Sequence, residues 1–392
     1  MQGMQTMASA LQQTTDRIRA AAADGTTLRI RGGGSKDFYG QSPQGDLLDT
    51  TALRGILSYE PTELVVTVGA GTKLTELEAL LAERGQCLAF EPPHFAWSAG
   101  TGATTDSAAT VGGMVAAGLS GPARASAGAV REYVLGLHLI NGLGQELVFG
   151  GQVMKNVAGY DVSRMMVGSM GTLGLITEVS LKVLPVAPAE ATLVFALDQA
   201  HALECLHRWG GQPLPLNASC WVHDDGAAQG AQELLFVRLR GAVAAVEAAC
   251  QKMLAEGAGQ RMDNAQAQAD WALCRDQQLP FFARPEDGAR ALWRLSVAQT
   301  APVLDLPWPQ LVEWHGGLRW LWAPLDAQTR LQAAAQAHGG NATLFVAYTA
   351  HSTRASGQFV MQDPAQMAIQ QRLKQSLDPK GIFNPQRLFQ AF

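Results

Sequence analysis

The chain has 392 residues, of which 47% are hydrophobic and 16% are charged, and its net charge is −5. This length predicts two domains, and the mild acidity with scattered arginines disfavours nucleic-acid binding. No apolar run is long enough for a transmembrane helix. Residues 1–23 are typical of an amphipathic helix and lack the continuous apolar core of a signal peptide. These features favour a cytoplasmic location and leave open an attachment to the inner face of a membrane through a partner.

A short strand, Thr27–Ile30, comes next and leads into a glycine-rich stretch at residues 31–40. Its glycines allow positive φ angles and let several amide N–H groups converge on an anion. Arg31 and Lys36 would add positive charge to such a pocket. Taken alone, the stretch is equally typical of a plain hairpin turn. A second glycine-rich region, further along the chain, favours the phosphate-binding interpretation.

A strand at Leu64–Val68 and a helix follow. Thr72 is predicted to cap the helix N-terminus through its hydroxyl group. Leucines at helical spacing would form the buried face of the helix, namely Leu74, Leu77, Leu80 and Leu81.

The second region rich in small residues extends from Glu91 to Gly128. Glycine, alanine, serine and threonine at this density cannot form a bulky core, but they let the backbone approach a large flat ligand. Apolar residues at roughly helical spacing interrupt the small ones, at Val111, Met114, Val115 and Leu119. The region therefore predicts an ordered wall of a cofactor site rather than a flexible linker.

Two strands, Val134–Ile140 and Glu146–Phe149, are predicted to form a hairpin through Asn141-Gly142. The first half is thus mixed α and β with antiparallel strand pairs. No G-x-G-x-x-G opens a helix after the first strand, so a Rossmann domain is the weaker alternative.

A third segment comprises residues 150–164, then Gly168–Glu178 and the strand-like Val179–Pro185. Together with the two glycine-rich regions, it resembles the flavin-binding domain of the vanillyl-alcohol oxidase and p-cresol methylhydroxylase (PCMH) superfamily. Residues 150–164 are most similar to the FAD-binding subunits of bacterial glycolate oxidases. The resemblance covers roughly residues 25–188, and beyond them only Asp378–Pro385.

This resemblance implies that FAD is the cofactor. Covalent members of the superfamily often have a histidine where this chain has Ser35, so the flavin is expected to be held non-covalently. The implied contacts to the pyrophosphate are Gly32, Gly33, Gly34, Ser35 and Lys36, with Arg31 beside them. The implied contacts to the rest of FAD are Thr110, Gly112, Gly113, Ser120, Gly121, Gly174, Ile176 and Thr177, and Asn384 would help to close the pocket of the flavin ring.

The fold class expected from these features is α+β. Two prolines after the third segment mark a boundary, so a two-subdomain PCMH-type FAD-binding domain is expected at 1–188 and an α+β cap domain of the FAD-linked oxidase type at 189–392. Helices are predicted near Gln199–Trp209, Gly241–Glu256 and Asp326–His338, and strands at Leu234–Leu239 and Thr343–Ala347. This alternation is typical of a sheet with helices on one face.

Hydroxy-acid-oxidising relatives commonly carry a His-x-Gly-Asp-Gly-Asn type motif, which is absent from residues 190–392. The nearest catalytic candidates are His315 as a base and Arg319 as a partner for a substrate carboxylate. A packed aromatic turn with a surface arginine explains the same two residues equally well. The eight histidines are dispersed and the five cysteines form no C-x-x-C pair, so no metal or iron–sulfur site is expected in the chain.

The resemblance implies an FAD-dependent 2-hydroxy-acid oxidoreductase subunit, part of a glycolate oxidase complex that converts glycolate to glyoxylate. The implied partners are a larger homologous FAD subunit, which carries the complete oxidising site, and an iron–sulfur subunit that receives the electrons. Two alternatives remain open. The first alternative is a self-sufficient FAD-dependent 2-hydroxy-acid dehydrogenase, and the second is a non-catalytic scaffold subunit.

Overall fold

A computed structural model describes residues 2–95, 108–151, 161–224, 232–285, 290–347, 359 and 363–389. The helices are α1 (Gln2–Asp24), α2 (Leu74–Ala82), α3 (Val111–Ala117), α4 (Arg124–Ala127), α5 (Val162–Met165), α6 (Gln199–Gly210), α7 (Val243–Glu256), α8 (Asn264–Arg275), α9 (Gln328–Gln336) and α10 (Pro364–Leu377).

The strands are β1 (Leu28–Arg31), β2 (Asp46–Asp49), β3 (Ile56–Glu60), β4 (Val65–Gly69), β5 (Gln86–Cys87), β6 (Val134–Ile140), β7 (Glu146–Gly150), β8 (Leu175–Lys182), β9 (Leu184–Pro185), β10 (Ala189–Ala196), β11 (Leu216–Asp224), β12 (Gln232–Gly241), β13 (Gly259–Arg261), β14 (Arg290–Ser296), β15 (Gln310–Glu313), β16 (Leu318–Pro324) and β17 (Asn341–Val346). Both the predicted mixture of helix and strand and the α+β fold class are confirmed. Among the described helices, none is long and apolar enough to cross a membrane.

The chain forms two compact units. The first contains Met1–Leu119, Ala129–Pro185 and Ser356–Phe392, and the second contains Ser120–Gly128 and Val186–Ala355. The predicted division at residue 188 stays a prediction, and the units differ from it because the chain crosses between them more than once.

The first unit is built on a five-stranded sheet in the order β3-β4-β8-β6-β7, with β1 and β2 as a separate parallel pair. The predicted hairpin of β6 and β7 is confirmed, with Leu137 opposite Phe149. Its turn is longer than the two-residue Asn-Gly type, because the amide N–H of Asn141 donates to the Gln145 carbonyl at 3.1 Å. The side chain of Asn141 then accepts hydrogen bonds from the amides of Leu143 and Gln145.

Helices α2 and α3 pack on this sheet and complete the core of the first unit. The predicted leucine face of α2 is confirmed for Leu74, Leu77 and Leu81, which are buried, whereas Leu80 is half-buried. The prediction that Thr72 caps α2 is wrong. Lys73 occupies the cap position without a side-chain hydrogen bond, because the Thr72 hydroxyl instead accepts from the Gly55 amide at 2.9 Å.

The C-terminal segment (363–389) belongs to the first unit, although the sequence places it in the second domain. It docks beside β1, where the Leu28 amide donates to the Ile382 carbonyl and the Asn384 amide donates to the Leu28 carbonyl. The buried ammonium group of Lys374 donates to Asp378 Oδ2 at 2.7 Å and to the carbonyls of Thr172 and Phe383. The ion pair and these carbonyl bonds fix the shape of the segment.

The second unit is built on an eight-stranded sheet in the order β13-β10-β12-β11-β15-β16-β14-β17. Apolar residues of α6 and α7 pack with Ala191, Leu193 and Phe195 of β10, and α9 packs with β14. The prediction of helices on one face only is wrong for α8. The indole of Trp271 in α8 donates to the hydroxyl of Thr192, whose side chain points to the opposite face from Ala191 and Leu193.

Candidate cofactor site

A cavity that is open to solvent lies in the first unit, beside the loop that follows β1. The glycine loop (31–37) forms one wall. Thr110, Gly113 and Ala116 contribute a second wall at α3, and Asn384 and Arg387 of the C-terminal segment contribute a third. The structure therefore brings together sequence-predicted residues from three separated parts of the chain.

A second cavity shares part of its lining with the first, including Gly32, Gly113 and Asn384. Its own walls add Gly112, Gly174 and Ile176, which are also sequence-predicted contacts. Since the two cavities share lining residues, they are adjacent parts of one site.

Several carbonyl groups of the glycine loop already accept hydrogen bonds within the chain. The Arg31 carbonyl accepts from the amide and the hydroxyl of Thr50, and Arg387 donates to the carbonyls of Lys36 and Asp37. The amide N–H groups of four consecutive residues donate to no acceptor in the described part of the chain, namely Gly32, Gly33, Gly34 and Ser35. Such a row of free donors is a binding site for an anion.

Close backbone packing explains why the loop needs glycine. A Cβ atom on Gly33 would lie 1.5 Å from the Ala108 carbonyl oxygen, and one on Gly32 would lie 2.3 Å from Thr110 Oγ1. Gly34 has φ of +75°, a conformation that other residues rarely adopt. The loop and the entry to α3 therefore touch through their backbones.

The charges around the first cavity are mainly positive. Arg29, Arg31, Lys36 and Arg387 line it, against one carboxylate, Asp37, which pairs with Arg31 at 2.7 Å. Within the described chain, the buried Nε of Arg29 has no hydrogen-bond partner. This excess of cations beside free amides fits the pyrophosphate of FAD.

Sequence reasoning missed Arg29 and Arg387. Arg29 lies within β1, one residue before Ile30, and Arg387 follows the Asp378–Pro385 motif by two residues. Nothing in the local pattern distinguishes either of them from other arginines, because their role arises only when the C-terminal segment docks against β1.

At the start of α3, Thr110 caps the helix by accepting a hydrogen bond from the Gly113 amide at 3.2 Å. The absence of a side chain on Gly112 lets this turn approach Ala70, whose Cβ lies 2.7 Å from the position that a Gly112 Cβ would take. The start of α3 therefore packs against the residue that follows β4, and Gly112 and Gly113 line the second cavity.

Asn384 lines both cavities and joins the C-terminal segment to two other parts of the chain, at Ile30 and Met170. Its Oδ1 accepts from the Ile30 amide at 2.7 Å, and its Nδ2 donates to the Met170 carbonyl at 2.6 Å. Asn384 is buried, with only 6% of its surface exposed, and its backbone has φ of +40°. Asn384 therefore fixes the cavity wall through backbone groups on both sides.

We expect Asn384→Ala to weaken FAD binding about tenfold, because two buried backbone groups lose their partners. Fluorescence titration of FAD into the flavin-free protein measures this. Asn341→Ala, at an exposed position of β17, is the matched control and should leave the affinity unchanged. A wild-type dissociation constant for Asn384→Ala would contradict the role assigned to this side chain.

Other sequence-predicted residues are not among those that line these cavities. Thr177 is buried in β8, where its carbonyl accepts from the Ala70 amide. Ser120 and Gly121 belong to the second unit, where the Gly121 carbonyl accepts from the indole of Trp314 at 3.0 Å. Residues 96–107 of the second glycine-rich region and residues 152–160 of the third segment lie outside the described residues.

His315 lies in the second unit, in a short turn between β15 and β16. Its Nε2 is 3.0 Å from the Ser126 hydroxyl, and its Nδ1 is 3.1 Å from the Ser219 hydroxyl. Burial lowers the pKa of His315 to about 4, so the imidazole is neutral at physiological pH. Both ring nitrogens are thus engaged by serines that belong to the same unit.

Arg319 is fully buried in β16, where one of its nitrogens donates to the Ala301 carbonyl at 3.2 Å. Burial lowers its pKa to about 10, and its Nε and Nη1 have no partner in the described part of the chain. It lies opposite Val312, on the face of the sheet that carries the core with α6 and α7. The alternative of a surface arginine at this position is excluded by this burial, and the substrate-binding role of Arg319 stays a prediction.

The lowered pKa of His315 has a consequence for stability. Between pH 7 and pH 5 the unfolded chain binds a proton at this histidine, whereas the folded chain does not, so acidification destabilises the fold. We expect His315→Gln to remove about 1–2 kcal/mol of this pH dependence. Urea unfolding of both proteins at the two pH values measures it, and equal pH dependence in the two proteins would contradict a neutral, buried His315.

Comparisons with known proteins agree with the geometry of the site. The FAD binding domain family matches residues 7–150. The glycolate oxidase subunit GlcE of Escherichia coli strain K12 is 40% identical over 378 residues, which cover 96% of this chain and 97% of that protein. The glycolate oxidase subunit GlcD of Bacillus subtilis strain 168 is 30% identical over 174 residues, which cover 44% of this chain and 35% of that protein.

A D-lactate dehydrogenase of Archaeoglobus fulgidus is 35% identical over 158 residues, 40% of this chain and 33% of that protein. Among solved structures, alkyldihydroxyacetonephosphate synthase superposes with a TM-score of 0.66 at 16% identity, covering 95% of this chain and 74% of that one. This likeness supports the fold. The near full-length match to GlcE, the FAD binding domain and the amide-lined cationic cavity lead to one conclusion: the chain belongs to the GlcE family of FAD-binding oxidoreductase subunits.

Proposed function

We propose that this chain is the FAD-binding subunit of a complex that oxidises glycolate to glyoxylate. The observation that carries the proposal is the row of free amides at Gly32–Ser35 beside Arg29, Lys36 and Arg387, in a chain that matches GlcE along almost its whole length. FAD bound there supplies a two-electron acceptor for the oxidation of an alcohol.

The residues of this chain hold and orient that cofactor. The glycine loop and its cations bind the pyrophosphate, while Gly112, Gly174 and Ile176 border the second cavity. Because Ser35 stands where covalent relatives often have histidine, the proposed attachment is non-covalent. Asn384 and Arg387 keep the walls in place from the C-terminal segment.

The proposed partners are a larger homologous FAD subunit and an iron–sulfur subunit that takes the electrons onward. Support comes from the relatives GlcE and GlcD, each of which is named as a subunit of glycolate oxidase. The wide spacing of the five cysteines agrees with electron transfer to a cluster on another chain. The proposed location is cytoplasmic, with any contact to the inner face of the membrane made by these partners.

His315 and Arg319 stay predictions as catalytic residues. A base with a pKa near 4 removes a proton poorly at neutral pH, and Arg319 faces the core of the second unit. The geometry thus favours structural roles for both side chains over direct contact with substrate.

The test is to add glycolate without oxygen to the purified chain and, in parallel, to the chain co-purified with its partner subunits. Loss of the yellow flavin absorption only in the complex is the expected result. Loss in the chain alone would establish a self-sufficient dehydrogenase instead, with D-lactate as the next substrate to add. A folded chain that takes up no FAD would support the alternative role as a non-catalytic scaffold subunit.

A further inference from the structure

Arg294 lies in β14 of the second unit, opposite Trp320 of β16. Its guanidinium is 5.0 Å from the centre of the Trp314 ring and 5.9 Å from the centre of the Trp320 ring. The side chain is half-buried. In the described part of the chain, the Arg294 side chain makes neither a hydrogen bond nor an ion pair. Its described contacts there are the cation–π contacts with Trp314 and Trp320.

Three other arginines that lie over tryptophan rings also have a hydrogen-bond or ion-pair partner for the guanidinium group. Arg238 donates to Asn217 Oδ1, Arg208 pairs with Glu256, and Arg330 donates to the Asp305 carbonyl. Arg294 thus differs from these three in having planar hydrogen-bond donors that no group of the described chain accepts.

The nearby carboxylate of Glu313 does not neutralise Arg294. Glu313 is buried, and it accepts hydrogen bonds from the Trp320 indole at 2.7 Å and from the Cys274 thiol at 3.3 Å. A second cation, Arg124, lies 4.4 Å from the centre of the same Trp314 ring and is exposed. Two guanidinium groups therefore lie against the same indole ring.

An arginine held flat on aromatic rings keeps its planar N–H donors in a fixed orientation, which suits a carboxylate. The pair of donors matches the two oxygens of the ligand. Less side-chain entropy is lost on binding because the guanidinium is already restrained by the rings.

We propose that Arg294 binds the carboxylate of a small 2-hydroxy acid. This inference rests on the proposed function and deepens it, since it names the residue that recognises the substrate's acid group. It replaces Arg319 in that role.

Isothermal titration calorimetry of glycolate into the full chain as purified tests this. We expect Arg294→Gln to raise the dissociation constant about 10- to 100-fold and Arg294→Lys, which keeps the charge, to raise it less. Arg330→Gln is the matched control, because Arg330 also lies over a tryptophan ring, at 5.7 Å, and is exposed. Ethylene glycol, which lacks the carboxylate, should not bind measurably to any of the proteins.

Unchanged glycolate affinity in Arg294→Gln, or no glycolate binding by the wild-type chain, would overturn the inference. The FAD content of the same samples reports on the proposed function separately. Flavin-loaded protein that binds glycolate independently of Arg294 would sink only the role of Arg294. Flavin-free protein that binds glycolate through Arg294 would uphold that role and sink the proposed cofactor function.

Discussion

Gly33→Ala is expected to abolish the yellow colour of the purified protein. The new Cβ would lie 1.5 Å from a backbone oxygen, that of Ala108, so the glycine loop must withdraw from the entry to α3. Overpacking of this kind costs about 1–3 kcal/mol, which corresponds to roughly 10- to 100-fold weaker FAD binding. The amount of FAD that co-purifies with the chain, measured by absorption, reports the loss.

The control is Gly210→Ala at the exposed end of α6, where an added Cβ meets no atom within 4 Å. This variant should retain its full flavin content. Circular dichroism of both variants separates a local change from unfolding. A Gly33→Ala protein that keeps one FAD per chain would contradict the assignment of the glycine loop.

Lys374→Met is expected to produce the largest loss of stability. It leaves the carboxylate of Asp378, which is 1% exposed, without its cation. Breaking a buried ion pair by removing one partner costs about 3–5 kcal/mol, or a fall in melting temperature of about 4–6 °C for a chain of 392 residues. Thermal unfolding followed by circular dichroism measures the change.

FAD should be lost together with this stability, because Asp378 holds the amides of Ile382 and Phe383 just before Asn384 and Arg387. Lys380→Met, an exposed lysine of the same segment, should melt like the wild-type protein. Equal melting temperatures for Lys374→Met and Lys380→Met would show that the C-terminal segment does not depend on the ion pair.

Much of the first unit was predictable from local patterns. The alternation and turn residues around Val134–Phe149 indicate a hairpin, and the spacing of leucines after Thr72 indicates a helix, because both signals depend on neighbours in sequence. The density of glycine around Gly32 and Gly112 also indicated close backbone approach, although the contacting residues, Thr110 and Ala70, are distant in sequence.

Features made by distant parts of the chain could not be predicted. The Thr72 hydroxyl is taken by Gly55, which lies across a loop, and so it does not cap the helix. Arg387 reaches the glycine loop only after the C-terminal segment has docked beside β1. Likewise, the choice between Arg319 and Arg294 depends on which face of the second sheet each side chain occupies, and that follows from strand register rather than from composition.

The most direct test of the central claim is the flavin content of the purified chain before and after acid precipitation. We predict one FAD per chain, which acid releases into the supernatant, because the site holds the cofactor through amides and cations without a covalent bond. A folded protein that stays colourless after incubation with FAD, or flavin that remains attached to the precipitate, would contradict the account.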